Sequence, residues 1–148
     1  MVNISSIGAR ICPPGSGYYS ASKSALEAMS GSLRAEVGPL GITVTVVEPG
    51  GFRTDFAGRS LQQAREPIAD YADTAGRRRK EHDTYHGTQP GDPARAAQAV
   101  ITAVEAKDPP FLLLLGKDAC DAFQAVLDAQ GKELANWREL SLGTSFPE

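Results

Sequence analysis

Apolar positions along the chain alternate between short β-branched runs and longer stretches of helical spacing. Residues 2–6, Val-Asn-Ile-Ser-Ser, read as the end of a buried strand. The strand runs into a loop rich in glycine and proline, with Gly8, Pro13, Pro14, Gly15 and Gly17. Over residues 19–37 the apolar side chains Leu26, Met29, Leu33 and Val37, continued by Leu40, recur at steps of three and four, one stripe of a helix. A second stripe, Ala21, Ala25, Ala28, Ser32 and Ala35, consists only of small side chains, which let another backbone approach closely. Pro39 ends this helix by pushing Gly38 out of the α region. Residues 42–48 are β-branched almost throughout and stop at Pro49-Gly50-Gly51, which predicts a second strand. Strand, helix and strand in this order form a βαβ unit with parallel strands and a right-handed crossover.

The stretch 53–91 is polar and weakly periodic, with short helices expected around residues 60–72. Asp92-Pro93 is an N-cap followed by proline at the first helical position. Its helix is expected to reach about residue 107, with Val100, Ile101 and Val104 facing inward. Residues 111–115 predict a third buried strand. Residues 118–127 and 133–140 predict two closing helices, the last packed by Leu134, Trp137 and Leu140. The fold class is α/β: about three parallel strands with flanking helices, in one domain over residues 1–148 without repeat or linker. The first strand starts almost at Met1, which leaves its leading edge unpaired. Parallel strands are normally paired and covered. The chain is therefore expected to be the carboxyl-terminal part of a doubly wound sheet whose amino-terminal βαβ units are absent.

Composition narrows the function classes. The 148 residues are 41% hydrophobic and 22% charged, ordinary globular usage that excludes a disordered tail or a disulfide scaffold. The net charge of −3, from 15 basic and 18 acidic residues, leaves no electrostatic footprint for nucleic acid. The longest purely aliphatic or aromatic run, residues 111–115, is too short for a membrane helix, and no secretory pattern opens the chain. A cytoplasmic protein with Cys12 and Cys120 as free thiols is expected.

Chemistry concentrates at three places. Tyr19 and Lys23 are four apart and share a helix face. A free phenol titrates near pH ~10, and a neighbouring ammonium favours its ionised form, which brings it towards acid–base work. Alone, this pair is a common surface pattern. Ser6 stands thirteen residues before Tyr19, at the carboxyl end of a strand, where open parallel sheets place their ligands. The second strand also ends in such a place, at Glu48-Pro49-Gly50-Gly51-Phe52-Arg53-Thr54. There the glycines let the backbone approach a flat ligand, and Thr54 offers a hydroxyl and an N-cap.

The set Asn3-Ile4-Ser5-Ser6, Tyr19-Ser20-Ala21-Ser22-Lys23 and Pro49-Gly50-Gly51-Phe52-Arg53-Thr54 closely resembles the short-chain dehydrogenase/reductase family in order and spacing. The resemblance implies a Rossmann-type sheet, NAD or NADP as cofactor, and a small alcohol or carbonyl compound as substrate. It implies that Ser6 polarises the substrate oxygen and that Tyr19 is the acid/base for hydride transfer. It implies that Lys23 binds the nicotinamide ribose and lowers the tyrosine's pKa. The stretch from Pro49 and Gly50 to Thr54 would hold the nicotinamide, with backbone near Phe52 and the Thr54 hydroxyl reaching its carboxamide. Thr54-Asp55-Phe56 and the insert that follows look most like the steroid and retinol dehydrogenases of that family. A homo-oligomer through the 19–37 helix is a further expectation.

The departures are specific. The family's glycine-rich pyrophosphate turn, its adenosine-ribose selector and its helix asparagine have no counterpart in this sequence. The sequence thus supports an NAD(P)-dependent oxidoreductase interconverting an alcohol and a ketone or aldehyde. The alternative is a truncated, inactive relative that serves only as a binding or assembly fragment. Residues 53–91 are expected to form a substrate lid. His82 and His86 lack the further ligands of a metal site, so none is expected, and the basic run at residues 77–80 reads as a solvated face.

Overall fold

In the computed structural model, which describes residues 1–146, the middle of the molecule is β2 (Thr45–Pro49). Residues 44–48 are buried from end to end. β1 (Val2–Ile4) lies parallel along one side of β2, with Val2 opposite Thr45 and Ile4 opposite Val47. β3 (Leu112–Leu115) lies parallel along the other, with Val46 opposite Leu112 and Pro49 opposite Leu115. The order β1-β2-β3 is the predicted parallel α/β arrangement, and β-branched residues fill the strand that is covered on both faces. The outer edge of β1 pairs with no strand among the described residues.

Five helices surround this sheet: α1 (Gly8–Ile11), α2 (Gly17–Val37), α3 (Ala75–Tyr85), α4 (Pro93–Glu105) and α5 (Lys117–Leu142). Single 3₁₀ turns occupy Gly38–Leu40, Asp55–Ala57 and Ala69–Tyr71. No described helix is long and apolar enough to cross a membrane.

Several elements differ from the sequence pattern for identifiable reasons. The loop after β1 contains the single turn α1, which ends at Cys12 in the left-handed region (φ +44°), just before the two prolines. α2 turns a mixed face inward: Ser20 and Ser30 are buried, and Leu26, Leu33 and Val37 of the expected apolar stripe are half-buried. Met29 and Leu40 are instead 68% and 74% exposed, and the small stripe Ala21, Ala25, Ala28, Ser32 and Ala35 is exposed. The reason is on β1, where the Asn3 amide donates to Ser30 Oγ at 2.8 Å and calls for a polar partner.

α4 is rotated from its expected setting. It packs mainly against β3, and the narrow line Ala96, Ala99, Val100 and Ala103 is half-buried while Ile101 and Val104 face out. The two expected closing helices are one continuous α5, because a single Gly131 in an exposed turn costs only about 1 kcal/mol. Its far half is exposed among the described residues: Leu134 is 66%, Trp137 59% and Leu140 68% exposed. Of the short helices expected over 60–72 the 3₁₀ turn Ala69–Tyr71 forms, and the insert's α-helix follows at Ala75–Tyr85.

α4 starts where the sequence predicts, at Asp92, whose Oδ1 accepts from the amides of Ala94 at 2.8 Å and Arg95 at 3.4 Å. Asp92→Ala removes this cap and is expected to cost about 1 kcal/mol, read as a lower denaturant midpoint with unchanged slope. A midpoint at the wild-type value would show that the cap contributes nothing.

Candidate active site

Parallel strands direct their carboxyl ends to one edge of the sheet, and there β1 delivers two serines with different surroundings. Ser5 is buried under α2 and donates to Glu27 Oε1 at 2.5 Å. Ser6 is half-buried, and its Oγ accepts the Gly8 amide at 3.0 Å, which leaves its own hydroxyl hydrogen free to donate elsewhere. Tyr19, in the first turn of α2, comes to the same place. A Cβ on Gly8 would lie 3.2 Å from both Ser6 Oγ and Tyr19 Cε1, so only glycine leaves the two side chains their present spacing.

Lys23 follows one turn later on α2. Its Nζ donates to the Ile4 carbonyl at 2.9 Å and stands 5.9 Å from the centroid of the Tyr19 ring. One proton of the ammonium is thereby used and two remain free. The Phe56 ring lies on another side of Tyr19, with centroids 5.7 Å apart and planes tilted by 51°. Phe56 is fixed by the Thr54 hydroxyl, which accepts its amide at 3.3 Å as the cap of the 3₁₀ turn. The structure therefore gathers Ser6, Tyr19 and Lys23 at the carboxyl end of β1.

The turn from Pro49 to Thr54 is tied down on several sides. Pro49 O accepts from Ile7, Gly50 N donates to Leu115 O, and the Gly51 amide donates to Asp118 Oδ2 at 2.7 Å. Phe52 bridges to Gly91, and Arg53 Nε donates to Gln89 O at 2.6 Å. The two glycines do not leave the open face that the sequence suggests. A Cβ on Gly50 would overlap the Asp118 carboxylate, and one on Gly51 would overlap the Tyr85 hydroxyl, so the chain's own side chains use that space. Beyond it, Arg53, Thr54, Asp55, His86 and Gly87 line a cleft of about 400 Å³. Among the described residues no group of three or more His, Cys, Asp or Glu side chains gathers into a metal-binding cluster.

A charged cluster beneath these segments escaped the sequence reading. Glu48 has no exposed side-chain surface, and its Oε1 accepts from Arg10 Nε at 3.0 Å and Nη2 at 2.9 Å. The same Nη2 is 2.9 Å from Glu27 Oε2. Burial pushes the Glu48 carboxyl above the usual range; the Arg10 bond opposes this, and the nearby Glu27 charge adds to it. Burial also disfavours the charged form of Arg10, but the hydrogen bond to Glu48 and the two carboxylate charges outweigh it and hold the guanidinium proton tighter than usual. Glu48 Oε2 has no partner. One sign of the cluster was visible: Glu48 is a charge in an otherwise apolar strand.

Residues 1–65 match the protein family described as short chain dehydrogenase. An oxidoreductase of Botryotinia fuckeliana, BOA17, is 36% identical over 144 residues, which cover 96% of this chain and 52% of that protein. The crystal structure of a short-chain dehydrogenase from Streptomyces avermitilis superposes with a TM-score of 0.88 at 42% identity, over 98% of this chain and 52% of that one. A short chain dehydrogenase from Burkholderia cenocepacia, solved in complex with NADP, shares the fold at TM-score 0.60 and 23% identity, over 91% of this chain and 45% of its own. The chain thus spans about half the length of the relatives it matches.

Glu48 binds its proton more tightly when folded than when unfolded. Its effect on stability therefore worsens as pH rises from the ordinary glutamate range through the raised folded value. Glu48→Gln removes that dependence. The melting temperature of the variant, relative to wild type, is expected to climb between acid and neutral pH. A difference that falls over the same interval would mean that folding loosens the Glu48 proton instead of tightening it.

Proposed function

Because the chain belongs to the short-chain dehydrogenase/reductase family, we propose that it is the catalytic and nicotinamide-binding part of an oxidoreductase. The enzyme interconverts an alcohol and a ketone or aldehyde with NAD or NADP. The observation that carries this reading is the meeting of Ser6, Tyr19 and Lys23 around Gly8 at the carboxyl end of β1.

The residues present fit the nicotinamide end of such a cofactor. Lys23 keeps two free N–H donors for ribose hydroxyls, and the exposed Thr54 hydroxyl faces the 400 Å³ cleft beside the turn. Gly50 and Gly51 contribute by letting Asp118 and Tyr85 brace that turn, with Pro49 and the backbone at Phe52 holding its course. When bound, the dinucleotide supplies or accepts the hydride. Tyr19 gives its phenolic proton to the substrate oxygen in reduction and takes it back in oxidation. Ser6 donates its free hydroxyl hydrogen to the same oxygen and fixes its position. The ammonium of Lys23 stands beside the phenol, 5.9 Å from its ring centroid.

Phe56, half exposed against Tyr19, gives the substrate side an apolar wall suited to a hydrocarbon skeleton. The insert 53–91 folds back over this end, with Tyr85 against Gly51 and Arg79 donating to the Ala64 carbonyl, and acts as a lid on a small cytoplasmic substrate. The exposed Met29 of α2 and Leu40 of the 3₁₀ turn after it are the contact for a second copy. A second reading is a fragment that binds or assembles without turnover; what supports it is that the chain spans about half the length of the relatives it matches.

In the protein made from its native locus, Tyr19→Phe keeps the ring and removes the proton donor, so turnover is expected to fall about 10²–10⁴-fold while cofactor binding holds. Turnover near wild type would remove Tyr19 from its role, and an inactive wild-type protein would favour the second reading. Lys23→Ala is expected to weaken cofactor binding in a fluorescence titration. Lys23→Arg restores it only in part, because a planar guanidinium does not replace a compact ammonium. Equal affinity in all three proteins would leave the ribose contact without support.

A further inference from the structure

We propose that Arg10 is a positioning residue of this active site, its guanidinium pinning together the three segments that carry Ser6, Tyr19 with Lys23, and the turn from Pro49 to Thr54. The inference rests on the oxidoreductase reading above. Arg10 lies on α1, the turn that directly follows Ser6. Glu48 is the residue immediately before Pro49, and it takes two of the arginine's N–H groups on one oxygen. Glu27 stands one helical turn beyond Lys23 and two beyond Tyr19. One of its oxygens meets Arg10, and the other accepts the hydroxyl of Ser5, the residue before Ser6. The backbone around Ser6 is therefore gripped from both ends.

The chemistry of the cluster points to geometry rather than to stability. Two carboxylates share one guanidinium that is 36% exposed, while Glu48 itself is fully buried and its Oε2 is left with no partner. Apolar side chains of similar volume would hold a fold at least as well. A planar fork with fixed donors does what they cannot, since it sets direction as well as distance between its partners. The Phe123 ring of α5, 5.4 Å from the guanidinium carbon, gives that plane a surface to lie on. The polar bonds of Arg10 go to Glu27 and Glu48 and not to Ser6, Tyr19 or Lys23, so it acts through the segments it joins.

The test compares wild type, Arg10→Lys, Arg10→Met/Glu48→Gln and Tyr19→Phe in the protein made from its native locus. Three quantities are read: melting temperature, kcat per folded molecule, and hydrogen exchange at the Gly8 and Gly50 amides. The double variant removes the cation and the buried charge together, so it is expected to melt close to wild type. Its kcat is expected to fall about 10–100-fold, the scale of an ångström-sized misplacement, with faster exchange at both amides and none at Val46. Arg10→Lys keeps the charge without the fork and is expected to keep the fold while losing at least about fivefold in kcat. Should the double variant not fold, the lysine variant decides alone. Wild-type kcat or unchanged exchange in whichever variant folds overturns the proposal. Tyr19→Phe and the wild type separate the two ideas. If Tyr19→Phe stops turnover while the Arg10 variants run at full rate, only the positioning role fails. If the wild type itself turns over no alcohol or carbonyl compound with NAD or NADP, the oxidoreductase reading fails first.

Discussion

Everything functional in this chain depends on β2 being parallel to both of its neighbours. Parallel pairing sends all three strands towards the same edge of the sheet, so the chain must leave each at that edge and return by a helix. The loop with Ser6, the start of α2 with Tyr19, the turn at Pro49 and the start of α5 with Asp118 therefore crowd together. The crowding is then fixed by bonds between segments far apart in sequence. Ile7 donates to Pro49 O, Gly50 to Leu115 O, and Gly51 to the Asp118 carboxylate. Antiparallel pairing of any one strand would send one of these loops to the opposite end.

Local signals were readable where the chemistry is local. Tyr19 and Lys23 share a face because a helix repeats every 3.6 residues, and Asp92 caps α4 because an acceptor before proline satisfies the free amides. Signals that depend on distant partners were not readable. Gly50 and Gly51 look like a platform for a ligand, but nothing in the local sequence shows that the side chains of Asp118, some 67 residues on, and of Tyr85 from the insert lie where their Cβ atoms would be. The inward face of α2 was legible only in part: Leu26, Leu33 and Val37 are half-buried as their spacing implies, but the buried Ser30 depends on Asn3, which lies on another element. Residue 131 misled in the other direction, since an exposed helix tolerates a glycine that pattern alone reads as a break.

The charges divide into two populations. Most ion pairs, such as Arg78 with Glu81 and Arg95 with Asp92, lie on exposed helix surfaces, where each contributes on the order of 0.5 kcal/mol and is screened by salt. The group around Arg10 is different because Glu48 lies out of water and one of its oxygens is unmatched. Salt should leave it nearly untouched, whereas a change in protonation would be felt directly by the segments on either side.

The overhang of α5 has a consequence for anyone following this molecule by optical methods. Its 26 residues extend about 39 Å, far past a three-stranded sheet, and residues 127–142 touch little but water. The sequence has a single tryptophan, Trp137, and it sits on that overhang. Intrinsic fluorescence, and a good part of the helical circular dichroism, therefore report the fraying of a solvent-borne rod. The carboxyl end of the sheet, where Ser6 and Tyr19 meet, can loosen or tighten with neither signal moving, so it needs a reporter of its own.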